Sequence, residues 1–241
     1  WFLTGIEKHS DRADMSLKGN SDAFFLMLNN ALGKMPYDSV LVSMIQLSNH
    51  DHSRFLTRTN GIVGRINTHK SEDAESGVKL EVMRQAIMMQ VTLPGAPTIY
   101  YGDEVGVCGF TDPDSRRTYP WGHENLELLE YHRYMNRWHR VRKELKSGSL
   151  IKLISNAGAV CYARVLKDNV SVIVINTGEF TKKIDIPLYL TEMRDNAIIS
   201  RVIYTNKTGY NVGRVTYEND NGYLNMEIEP HSGYLLVSEN L

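Results

Sequence analysis

The chain's 241 residues, 42% hydrophobic and 23% charged, suffice for one large folded domain or two ordinary ones with real cores. A formal net charge of -1 leaves no electrostatic basis for nucleic acid or an anionic membrane as partner, and no apolar stretch approaches the roughly 20 residues that span a bilayer. Two cysteines, Cys108 and Cys161, do not make a disulfide scaffold and read as buried thiols.

The opening "WFLTGIEKHSDRADMS" has no initiator Met and no signal-peptide pattern. It reads as the middle of a longer chain, with no address of its own and the cytoplasm as the favoured location. "SDAFFLMLNNALGKMP" predicts a helix with Ser21 or Asp22 as N-cap and Gly33 and Pro36 as its stop. "SVLVSMIQLS" is short, β-branched and apolar nearly throughout, which predicts a strand buried on both faces. In "SGVKLEVMRQAIMMQVTL", Leu80, Met83, Ile87 and Val91 recur at helical spacing, and "PGAP" ends the helix. "PTIYY" is a second short apolar run. "ENLELLEYHRYMNRWHRVRKEL" predicts a long amphipathic helix with Leu126, Leu129, Tyr134, Trp138 and Val141 as its apolar stripe.

Helix and short buried strand in alternation mean βα units on a parallel sheet. Only two such strands are readable, too few to close a sheet, so the rest of it must come from elsewhere. After about Ser147 the period drops to two. "LIKLIS", "AVCYARVL", "VSVIVIN", "KKIDI", "AIISRVIYT", "GRVTY", "YLNMEIEP" and "GYLLVS" read as strands between turn clusters, with Asn221-Gly222 predicting a tight hairpin. The fold class is therefore α/β plus all-β, with an antiparallel β-sandwich second and a boundary between residues 1–147 and 148–241. No Pro/Ser-rich linker separates the parts, which predicts that they pack closely.

Chemistry in parallel α/β folds gathers where strands end and loops begin. "SNHDHSRF" stands at such a place, with Asn49, His50, Asp51, His52 and Arg54 in one short stretch. A carboxylate there stabilises a developing cation, holds a substrate hydroxyl or ligates a metal. His50 donates to a hydroxyl without a fixed charge, and Arg54 is placed to keep Asp51 ionised. The plainer reading is a turn capped by Asn49 and Asp51 with Arg54 as an ion-pair partner. A metal hydrolase built on His50 and His52 lacks third and fourth ligands at diagnostic spacing.

These residues carry a resemblance. "QLSNHDHSRF" is similar to the fourth conserved region of the α-amylase family of glycoside hydrolases, which follows the seventh strand of a (β/α)8 barrel. "LPGAPTIYYGDEVG" resembles that family's eighth-strand segment, and "GFTDPDSRRTYPWG" resembles the Asp-Pro-x-x-Arg loop of its neopullulanase and cyclomaltodextrinase branch. A long helix and a β-sandwich follow in the same order. The resemblance implies the C-terminal portion of a (β/α)8 barrel and then the sandwich, acting on an α-glucan or maltooligosaccharide.

The resemblance also implies roles. Asp51 is the third, transition-state-stabilising carboxylate, His50 binds the same sugar, and Asp112 and Arg116 bind the adjacent unit. For Asp112 and Arg116 the alternative is an Asp-Pro turn and a local salt bridge. Asp103 and Glu104 are expected to cap structure, and Tyr119 and Trp121 either stack on a sugar or pack under their loop. The nucleophile and acid/base should precede Asp51, yet only fifty residues do, too few for several βα units of roughly 30 residues each. Asp14 in "SDRAD" and Glu7 are expected to be surface-loop coincidences. The fragment is thus expected to be inactive alone. No metal or cofactor is indicated; the family often binds calcium, but no cluster of oxygen ligands stands out here. Oligomerisation stays open. A carbohydrate-binding or structural module, with Tyr210, Tyr217, Tyr223 and Tyr234 in the sandwich, is the alternative.

Overall fold

A computed structural model of the chain describes residues 1–195 and 197–239. The first twenty residues form a series of turns fastened by one bridge between Ile6 and Ala13. Helix α1 (Ser21–Leu32) is capped by Asn20 rather than Ser21 or Asp22: the Asn20 side chain accepts from Ala23 N at 3.0 Å. Gly33 ends it, as the punctuation predicts.

The run read as a buried strand is mostly something else. Tyr37–Val42 form a short helix, α2, and only Met44–Ile45 are extended, as strand β1. Pro36 precedes the first turn and Asp38 lies within it, two start signals that outweigh the β-branched composition. Nor is the run buried: Val42 is 76% and Met44 62% exposed.

A single turn, α3 (Phe55–Arg58), follows the first loop. Helix α4 (Leu80–Thr92) is buried nearly all round, in one core with residues of α5 (Leu126–Val141) and of the all-β part. Strand β2 (Ala96–Pro97) pairs in parallel with β1, Met44 opposite Ala96 and Ile45 opposite Pro97. Gln90 on α4 clasps the pair, its Nε2 donating to Ile45 O and Thr98 O, each at 3.0 Å. Helix α5 (Leu126–Val141) is rotated from the expected stripe. Leu128, Tyr131, His132 and Met135 are buried, whereas Leu126 and Val141 are exposed. Tyr131 decides the rotation, because its hydroxyl reaches Arg84 O on α4 at 3.0 Å and satisfies a buried polar group. A short helix, α6 (Lys143–Ser147), leads into the all-β part.

Among the described residues nine strands follow: β3 (Ser149–Asn156), β4 (Ala159–Leu166), β5 (Asn169–Asn176), β6 (Lys182–Pro187), β7 (Ile198–Asn206), β8 (Gly209–Asn211), β9 (Val215–Glu218), β10 (Tyr223–Ile228) and β11 (Ser232–Ser238). Seven make one sheet in the order β3-β4-β5-β11-β7-β8, with β9 also on β7, and β6 and β10 make the second. The three-residue β8 is too short to read from its sequence. Asn221 and Gly222 both adopt positive φ and close the Asp220–Tyr223 pair, as a two-residue turn should. They connect β9 in the large sheet to β10 in the small one, however, rather than two strands of one hairpin.

The large sheet is covered on both sides. Tyr162, Ile173, Ile175, Ile203 and Leu235 pack in one core with Met83, Ile87 and Met88 of α4. Cys161, Val172, Val174 and Leu236 face a second core closed by Ile184, Ile186, Leu224, Met226 and Ile228 of the small sheet. Double coverage explains why "VSVIVIN" is apolar throughout rather than alternating. The two parts pack closely. Arg164 on β4 is fully buried, and its Nη1 donates to Thr92 O at 2.7 Å and Leu145 O at 3.0 Å, satisfying carbonyls near the ends of α4 and α6. Both cysteines are free and buried. No helix among the described residues is long and apolar enough to cross a membrane.

Candidate active site

The parallel pair sends two loops to one edge: residues 48–54 after β1, and residues 98–117 after β2. Asn49 shapes the first. Its Oδ1 accepts from the N–H groups of Asp51 at 3.0 Å and His52 at 2.9 Å, so the turn reading of Asn49 holds. That turn presents Asp51 to solvent, with its side chain 61% exposed.

Four side chains meet there. His50 Nε2 lies 3.4 Å and Arg116 Nη2 3.9 Å from Asp51 Oδ1. Arg116 Nε is 2.8 Å from Asp112 Oδ1 and also donates to His50 O at 3.3 Å. Ser115 Oγ donates to the same carbonyl at 2.9 Å, tying the second loop to the first. The local Asp112–Arg116 salt bridge is real, and it brings both groups beside Asp51. Together they form an exposed patch of two carboxylates, an imidazole and a guanidinium, suited to the hydroxyl groups of a polar ligand.

Arg54 does not hold Asp51. It is fully buried beneath the loops, with Nη1 3.0 Å from Asp103 Oδ1. Nη1 also donates to Tyr101 O at 2.6 Å and Nε to Ser115 O at 2.8 Å, while the guanidinium sits 4.1 Å from the centre of the Tyr100 ring. The Arg54 N–H donates to Gly109 O at 2.9 Å. Asp103 is thus structural, as an ion-pair partner rather than a cap. Burial pushes its carboxyl up to about 6 against the pull of Arg54, and burial lowers neighbouring Arg58 to about 10. The signal for this scaffold was present in "YYGDE" but pointed to no particular partner.

His52 packs edge-on against His9 with ring centroids 4.9 Å apart, and burial holds it down at about 4 and therefore neutral. His50 pairs with Asp51 instead, so the two histidines do not share a ligand point. Among the described residues, the metal-ligating atoms that converge belong to Glu7, His9 and Asp11, and Arg65 already grips Asp11 through Nε and Nη2. Asp14 and Glu7 serve their own turns: Asp14 Oδ1 accepts from Ser16 N at 3.0 Å, and Glu7 Oε1 from Asp11 N at 3.2 Å. Tyr119 and Trp121 lean on each other with centroids 4.4 Å apart, and Trp121 stands 79% exposed rather than under its loop.

The family model of the α-amylase catalytic domain matches residues 3–157. The chain belongs to the α-amylase family. Within that family, an amylopullulanase of Thermoanaerobacterium thermosulfurigenes is 27% identical over 220 residues, covering 86% of this chain and 11% of that enzyme. A cyclomaltodextrinase of Thermoanaerobacter pseudethanolicus is 34% identical over 142 residues, 58% of this chain and 22% of the relative. A solved cyclomaltodextrinase structure shares the fold at a TM-score of 0.71 and 19% identity, covering 93% of this chain and 34% of that one. This α-amylase-family chain thus groups with the neopullulanase and cyclomaltodextrinase branch, and its architecture is a partial barrel plus β-sandwich. It spans a minor part of the length of these relatives.

Proposed function

We propose that residues 1–147 are the later part of a retaining α-glucan hydrolase barrel and residues 148–241 its sandwich, with Asp51 the transition-state-stabilising carboxylate. The observation that carries this reading is the convergence of His50, Asp51, Asp112 and Arg116 from two loops onto one exposed patch. A retaining glycosidase needs a nucleophile and an acid/base about 5–5.5 Å apart. As the glycosidic bond breaks, the sugar ring gains positive charge, and a fixed anion beside it lowers the barrier through placement rather than basicity. Asp51 supplies that anion, His50 donates to the same sugar, and Asp112 and Arg116 hold the next unit.

The nucleophile and acid/base have no counterparts at positions matching the family's motifs, so the chain alone does not turn over α-glucans. Val42, Met44, Ile99 and Tyr101 are exposed around the β1–β2 pair, where a closed barrel would place further strands. Purified chain is expected to leave starch, pullulan and cyclodextrin intact. Robust turnover abolished by Asp51→Asn would overturn the incompleteness. Titration with maltooligosaccharides tests the site itself: Asp112→Ala and Arg116→Ala should weaken binding there.

A further inference from the structure

The small sheet has two unlike faces. Ile184, Ile186, Leu224, Met226 and Ile228 point into the sandwich core, and strict alternation turns the intervening residues outward. The register sets three outward rungs: Tyr223 opposite Pro187, Asn225 opposite Asp185, and Glu227 opposite Lys183. Tyr223, Asn225, Asp185, Glu227 and Lys183 are all exposed.

At one end Tyr189 leans against Tyr223, with ring centroids 5.4 Å apart, planes at 58°, and exposures of 53% and 42%. Tyr189 is held there. It lies in a 3-10 turn, Leu188–Thr191, whose Leu188 and Thr191 are buried, and its N–H donates to Gly222 O at 2.9 Å. Gly222 has φ +82, and a Cβ on it would stand 2.9 Å from the Tyr189 Cβ. The Asn221-Gly222 turn therefore fixes one tyrosine against the other.

The pattern of groups selects a ligand. Two exposed phenol rings offer faces for the C–H side of a pyranose and hydroxyls at their rims. One rung along, at about 7 Å by the rise of two strand residues, stand an amide and a carboxylate, which complement neighbouring sugar hydroxyls. The next rung carries opposite charges, Lys183 and Glu227, that offset each other, so the strip is not aimed at an ion.

We propose that the outer face of the β6–β10 sheet is a second glucan-binding surface, with Tyr189 and Tyr223 as its stacking platform and Asn225 and Asp185 as its hydroxyl-binding rung. The choice of an α-glucan rests on the proposed function; the location of the surface does not. Of Tyr210, Tyr217, Tyr223 and Tyr234 it keeps only Tyr223 and adds Tyr189, since Tyr234 is buried, Tyr217 packs against the second core and Tyr210 packs against Tyr131 at 5.1 Å.

Maltoheptaose titration and native electrophoresis through amylopectin, both on the whole chain, test the surface. Tyr189→Ala and Tyr223→Ala should each weaken retention by about tenfold, the scale of one good aromatic contact. Tyr223→Trp should restore it, and unchanged melting curves would exclude unfolding. No retention by the unmodified chain, or undiminished retention by the double alanine variant, overturns the proposal. Retention lost only with Asp112→Ala and Arg116→Ala also overturns it, while supporting the loop site. Retention lost only with the tyrosines supports the surface and counts against the loops. If the tyrosine variants dissociate a dimer in sedimentation and bind glucan normally, the face is a self-association surface and the proposal fails.

Discussion

Arg54 and Asp103 form a buried ion pair directly beneath the exposed Asp51 loop, Nη1 to Oδ1 3.0 Å. The charges that hold the loops are thus separate from the charges offered to a ligand. Deleting one partner strands the other in a medium that solvates it poorly. Asp103→Leu or Arg54→Met should each cost about 3–5 kcal/mol. The double variant Arg54→Met/Asp103→Leu should cost clearly less than the sum. Urea unfolding of the four proteins measures the coupling, and additive losses would show that the pair does not act as a unit.

His132 makes the fold sensitive to acid. It is buried on α5, neither ring nitrogen has a partner among the described residues, and burial lowers its pKa from 6.5 to about 4. The unfolded chain therefore binds a proton near pH 6.5 that the folded chain refuses. Stability from this residue is fully present above pH 6.5 and is lost as the pH falls towards 4. The loss is on the order of 3 kcal/mol. His52 acts in the same direction, while the raised carboxyl of Asp103 acts in the opposite one. Unfolding free energies at several pH values for wild type and His132→Leu isolate the term. Parallel curves for the two proteins would rule it out.

Much of this organisation was legible in the residues, and the failures share a cause. Helix α4 and most sandwich strands were readable because their periods are long and their turns carry Gly or Asn. The stretch at residues 39–48 was misread because a short β-branched run has no period of its own, so Pro36 and Asp38 decided its start. Helix α5 was rotated by a hydrogen bond from Tyr131 to a neighbouring helix, which no single-helix pattern contains. The grouping of His50 with Asp51 followed from adjacency, and their meeting with Asp112 and Arg116 was accessible only through a family resemblance. Arg54 was assigned the nearer carboxylate in sequence, Asp51, whereas folding delivered the more distant Asp103.

Asn49 should govern the presentation of Asp51. Its side chain accepts from two backbone N–H groups, which nothing else in the loop replaces in the hydrogen bonds seen. Asn49→Ala should cost about 1 kcal/mol, the scale of a lost cap, and should weaken maltooligosaccharide binding at the loop site. Asn49→Asp keeps the acceptor and should recover stability. Thermal melting and titration of both variants check this, and equal behaviour of Ala and Asp would show that the acceptor is irrelevant.

Gly222 and Gly61 separate backbone strain from collision. Both have positive φ, +82 and +86, but a Cβ at Gly61 meets nothing within 4 Å, whereas one at Gly222 meets Tyr189 at 2.9 Å. Alanine at either position pays the left-handed penalty of about 1–2 kcal/mol. Gly222→Ala must in addition push Tyr189 off its place against Tyr223, so it should destabilise more than Gly61→Ala and also reduce retention on amylopectin. Gly61→Ala should leave retention unchanged. Melting curves and native gels on the two variants decide the matter: equal destabilisation and equal retention would mean that the Asn221-Gly222 turn does not position the tyrosine.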